Sequence, residues 1–131
     1  MRASHEPYRP GVSASSHNSA LVSRVTEAID AGRPPDRTAL RDAVRVLLTA
    51  LRTRAPGRTV EVRVPPYGAI QCVEGPRHTR GTPPNVIEAD PVTFVLLATG
   101  RLAWAEAVRD GRVTASGNRA DLTPYLPLDP G

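Results

Sequence analysis

Apolar positions along this chain recur with two different periods, and the switches between them divide it into elements. Leu21, Val22, Val25, Ala28 and Ile29 fall at helical spacing, with Ser16 or Asn18 able to cap the start and Gly32 before Pro34-Pro35 to end it. A second helical stripe runs through Leu40, Val44, Leu47, Leu48 and Leu51, with Asp36 placed to cap it and Pro56-Gly57 to stop it. Arg41, Arg45 and Arg52 fall on the opposite side of that helix. Such a row can serve as a phosphate-binding surface, but a charged row opposite an apolar stripe is usually the solvated face.

The period then becomes two. Thr59-Val60-Glu61-Val62-Arg63-Val64 puts three valines on one face and Thr, Glu and Arg on the other, the pattern of a half-buried strand. Pro65-Pro66 breaks it, and Tyr67 to Val73 predicts a second strand antiparallel to the first, with Ile70 and Cys72 sharing a face. After a Pro/Gly-rich connection, Asn85 to Ala89 predicts a short strand leading into Asp90-Pro91, where Asp caps a helix and Pro takes its first position. Phe94, Val95, Leu97 and Ala98 face inward on that helix, which Gly100 terminates. Leu102, Trp104, Ala107 and Val108 mark a second short helix closed by Asp110-Gly111. A strand over Arg112 to Ser116 and a turn at Gly117-Asn118 follow. Leu122, Tyr125, Leu126 and Leu128, cut by Pro124 and Pro127, predict a helical turn rather than a helix.

Met1 to His17 holds two Pro, four Ser and little to bury, so it reads as a flexible arm. Residues 18–131 read as one domain, with residues 18–35 an N-terminal helix and linker and residues 36–128 the main fold; 131 residues suit a single core. The net charge of +4 comes from 17 Arg with no Lys, a usage that fits a GC-rich genome better than selection for guanidinium chemistry. The front half is the basic one, with 13 Arg against 7 acids up to Thr82 and 4 against 6 thereafter. So small an excess sets only a weak field. With one Trp, one Phe and three Tyr, the chain lacks the stacking platform of a single-strand nucleic-acid binder, and no specific nucleic-acid partner is expected. The single cysteine excludes an internal disulfide and fits a reducing, cytoplasmic setting; no apolar run approaches the ~20 residues that cross a bilayer.

Catalytic signatures are missing from the sequence. Without Lys there is no phosphate loop of the usual kind, and neither a G-x-S-x-G elbow nor an H-E-x-x-H pair occurs. His5, His17 and His78 are too scattered to form a metal site unaided, and Cys72, beside apolar neighbours, reads as an inert buried thiol. No catalytic residue, metal or cofactor is expected. Arg77-His78-Thr79-Arg80-Gly81 is the one dense polar cluster. Two guanidiniums and an imidazole on a loop can hold a carboxylate or phosphate head group, or can simply be solvated. His78 as a general base would need an orienting partner that the sequence does not supply.

The run Asp90, Phe94, Leu97, Gly100-Arg101-Leu102, Ala103, Ala107, Gly111, Val113 and Gly117-Asn118 resembles the sterol carrier protein type 2 superfamily. Residues 38–128, with Pro65-Pro66-Tyr67 and the 77–85 segment, are more similar to its shorter bacterial branch, the sterol carrier family proteins found in actinobacteria. The resemblance implies an α/β sandwich of the α+β type, with a mostly antiparallel small sheet, helices packed on one face, and between them a cavity that in relatives accommodates acyl chains or sterols. Two departures are visible. Residues 73–85 leave no room for a further strand, and the proline-broken tail is shorter than the Gly-Met-Ala-rich continuations of many relatives.

The expectation is therefore a small carrier of an apolar, fatty-acyl or sterol-like ligand, lined by Val60, Val62, Val64, Ile70, Phe94, Leu97, Trp104 and Val108, with Arg77, His78 and Arg80 at the ligand's polar end. The alternative is a non-enzymatic accessory module whose pocket is filled and whose apolar surface meets a protein partner or a second copy of itself.

Overall fold

The computed structural model describes residues 10–75 and 85–131. Its elements run α1 (Pro10–Asp30), α2 (Arg37–Arg54), β1 (Val60–Val64), β2 (Gly68–Cys72), β3 (Asn85–Ala89), α3 (Pro91–Ala98), α4 (Trp104–Arg109), β4 (Val113–Ser116) and a 3₁₀ turn at Thr123–Tyr125. This is the α+β class that the resemblance implies, with the elements in the order that the periodicities predict. One boundary differs, because α1 begins at Pro10 and residues 10–17, expected in the arm, are helical. Proline fits the first helical position, where its missing N–H is not needed, and the apolar stripe further along the helix supplies the packing that such a polar extension lacks.

The sheet order is β2-β1-β3-β4. β1/β2 and β3/β4 are antiparallel, as expected of a mostly antiparallel sheet, whereas the central β1/β3 pair is parallel. Strict alternation in β1 sends Val60, Val62 and Val64 to the inner face, where each is at most 1 % exposed. Cys72, Ile87, Ala89 and Val113 extend that face across the other strands. The outer face is polar: Glu61 and Arg63 pair at 2.8 Å, and their register neighbours include Gln71 and Glu88.

Among the described residues the helices cover the inner face. α2 packs on β2, α3 and α1 pack on α2, and α4 lies against β4. Asp90 caps α3 by accepting from Thr93 N at 3.1 Å and from Thr93 Oγ1 at 2.6 Å, which seats Phe94 and Val95 in the core. Gly100, at φ +78, closes the helix in the left-handed region.

Two polar devices fasten the sheet. Asn85, 3 % exposed, donates Nδ2 to the Thr59 carbonyl at 3.1 Å and accepts from Arg119 N at 2.9 Å, so one side chain ties β3 to the start of β1 and to the turn after β4. Replacing Asn85 by Ala would leave a buried carbonyl and a part-buried N–H without partners. Urea unfolding should show a loss of about 2 kcal/mol. The second device is the crossing of Gly57 and Val73. Val73 leaves β2 with φ +69, rare for a β-branched residue, and its N–H donates to the Ala55 carbonyl at 2.7 Å. A Cβ on Gly57 would overlap the Val73 carbonyl.

Candidate functional site

The apolar residues expected to line a cavity divide into two groups. Val60, Val62, Val64, Phe94 and Leu97 lie in the hydrophobic core, each at most 2 % exposed, with their side chains packed between sheet and helices. Ile70 and Trp104 are half-buried at its margin, and Val108 is 42 % exposed. Arg77, His78 and Arg80 lie outside the described residues.

Cys72 belongs to the core as well. Burial pushes its thiol up to about 11, so at neutral pH it is protonated and a poor nucleophile. Among the described residues no group of His, Cys, Asp and Glu is arranged to hold a metal ion.

Among the described residues an open concavity lies elsewhere, on the outward side of α2. Its origin is in the helix itself. Asp36 accepts from Ala39 N at 3.0 Å to start α2, and Leu40, Ala43, Val44, Leu47, Leu48 and Leu51 turn one side of it wholly into the core. At about 100° per residue, Val46, Thr49, Ala50 and Thr53 must then face away from that stripe. They form a floor of two rows, one aliphatic and one of hydroxyls. Arg45 and Arg54 stand at its rims.

Two other segments raise the walls. α1 contributes Ser15 and Asn18, and the tail contributes Pro127, Asp129, Pro130 and Gly131, enclosing a groove of about 790 Å³. The tail is held at several points. Leu128 is buried and donates its N–H to the Ala98 carbonyl at 2.8 Å, while Asn18 Nδ2 donates to the Pro130 carbonyl at 3.3 Å. Arg54 Nε donates to the Tyr125 carbonyl at 3.0 Å, and Arg45 Nε to the Tyr67 carbonyl at 3.2 Å beside the β1/β2 turn. Of the other arginines on this helix, Arg41 is paired with Asp42 at 3.1 Å, and Arg37 and Arg52 are exposed.

Sequence reasoning noted Arg45 only as one member of a charged row, and it missed Arg54, Thr49, Thr53 and the tail. The available signal was the i, i+4 repeat of Thr49/Thr53 beside Val46/Ala50, an amphipathic pattern on the side of the helix turned away from the core. The tail's contribution had no local signal at all.

Residues 36–128 match the family described as bacterial SCP ortholog, so the chain belongs to the bacterial sterol carrier protein family. The match begins at the Asp36 cap of α2 and ends at Leu128, the residue that docks the tail. It leaves α1 outside. No curated protein matches the chain. Among the described residues no helix is long and apolar enough to cross a membrane.

Proposed function

We propose that this protein holds a small apolar, acyl-chain or sterol-like ligand without transforming it, and that residues 18–131 act as one binding domain. Membership of the bacterial sterol carrier family over residues 36–128 is the observation that carries this reading. The groove supports it, since about 790 Å³ falls within the ~300–1,000 Å³ usual for small-molecule sites.

Val46, Ala50 and Pro127 give the ligand's apolar part a place that needs no rearrangement. An interior site on Val60, Val62, Val64, Phe94 and Leu97 would instead require the helices to part from the sheet and those close-packed contacts to be lost. The filled interior also favours a second reading, in which the fold serves as an accessory module and the exposed Val108 beside half-buried Trp104 meets a partner.

Native mass spectrometry separates the two readings. A reproducible mass increment over the denatured chain, identified after lipid extraction or after incubation with dodecanoate or cholesterol, is the expected result. Ala50→Trp, which fills the groove from a half-buried position, should weaken ligand retention about tenfold and leave the thermal midpoint within a few degrees. A clean apo mass after incubation with both lipids would transfer the assignment to the accessory module.

A further inference from the structure

Resting on the reading that the outer groove holds the ligand, we infer that its occupant ends in an oxyanion, a carboxylate or a phosphate, recognised by Arg45 at one end of the groove or by Arg54 at the other. The two residues are nine apart on α2. Nine residues make two and a half helical turns, so the side chains leave on opposite sides of the groove floor, displaced by about 13.5 Å along the axis. A ligand lying along the floor has a guanidinium at either end.

Both guanidiniums are held in place. Each spends its Nε hydrogen on a backbone carbonyl from a distant segment, Tyr67 for Arg45 and Tyr125 for Arg54. That single bond fixes the plane of the group while the terminal nitrogens remain available. Among the described residues neither pairs with a carboxylate, and no terminal N–H of either is donated to the protein. A planar fork restrained this way matches the two oxygens of a carboxylate or phosphate, with less side-chain freedom left to lose on binding. The Thr49 and Thr53 hydroxyls lie between the two arginines as further donors.

The side-chain charge of the lining agrees in sign. Asp129 is the one acidic side chain of the lining, and its Oδ1 accepts from Gly131 N at 3.0 Å. Among the lining side chains two guanidiniums face that one carboxylate. The Asn18 amide is directed to the Pro130 carbonyl and acts on the wall, away from the ligand.

Titrating the full-length protein with dodecanoate, dodecyl phosphate and dodecanol at low and at physiological salt tests this directly. Both anions should bind about tenfold or more tightly than the alcohol, and rising salt should erode that advantage. Arg45→Gln or Arg54→Gln, whichever removes the guanidinium at the head-group end, should reduce anion binding about tenfold while leaving dodecanol unchanged, the double variant should lose the preference for the anions, and Asp129→Asn should tighten them. Arg45 and Arg54 are exposed and each loses one hydrogen bond, so circular-dichroism melts of the variants should stay within a few degrees of the parent. A preference between carboxylate and phosphate identifies the source of the oxyanion. Equal binding of dodecanol and both anions, or anion binding unchanged in the Arg45→Gln/Arg54→Gln double variant, overturns this inference and leaves the carrier reading standing. Failure of all three amphiphiles to bind overturns this inference, and failure of cholesterol as well overturns the carrier reading.

Discussion

Phe94→Ala should destabilise the protein by about 3–5 kcal/mol, the largest loss expected from any single truncation of its core. Phe94 is the only phenylalanine and the largest of the fully buried side chains. It lies on α3, where the Asp90 cap fixes the first turn and so fixes where the ring enters the core. Neighbouring Val95, Leu97 and Ala98 are themselves buried and cannot move into the vacated space without losing their own contacts. Urea unfolding followed by the fluorescence of Trp104, the one tryptophan, would measure the loss. The same variant probes the interior. The void should stay dry and accept benzene, raising the variant's midpoint but not the parent's. A loss below about 1 kcal/mol would mean that the layer between helices and sheet is loose, and would return the ligand to Val60, Val62, Val64 and Leu97.

Gly57→Ala should be nearly as damaging, at about 3 kcal/mol or more, although it adds a single methyl group. Two costs combine at this position. At φ +147 the backbone adopts a conformation open to glycine and strained for any L side chain. The new Cβ also collides with the Val73 carbonyl, and Val73 cannot retreat, because its own N–H is bonded to Ala55 at 2.7 Å and its φ is already +69. Thermal unfolding should show a drop on the order of 10 °C. Gly111→Ala is the matched control: it carries the positive-φ cost at +72 but meets nothing within 4 Å. If both variants lose equally, the collision contributes nothing and the Gly57–Val73 crossing is not a fastening point.

Much of this architecture was legible because its signals are local. The valine alternation of β1, the Asp36 and Asp90 caps and the glycine stops at Gly32, Gly100 and Gly111 each express a preference satisfied within a few residues, and each stands where the periodicity places it. The parallel pairing of β1 with β3 was not legible, since strands 25 residues apart carry no mark of relative direction. The groove was harder still. Ser15, Thr49 and Pro130 come from three segments widely separated in sequence, and Arg45 looks like any solvated arginine until the Tyr67 carbonyl is seen to hold it. The lining expected from apolar residues named real core positions in Val60, Val62, Val64, Phe94 and Leu97, because periodicity reports burial and cannot report whether the buried space is occupied.

The two opposed sides of α2 have a consequence for how such a protein can change. Leu47 and Leu51 answer to the core, whereas Thr49 and Thr53 answer to the groove, and a full helix diameter separates the two sets. Substitutions on the two sides share no partner, so their free energies should add, and a double-mutant cycle between Leu47→Ala and Thr49→Val should close to within about 0.5 kcal/mol. Ligand preference can then drift at positions 49 and 53 without drawing on the margin of stability that keeps the chain folded.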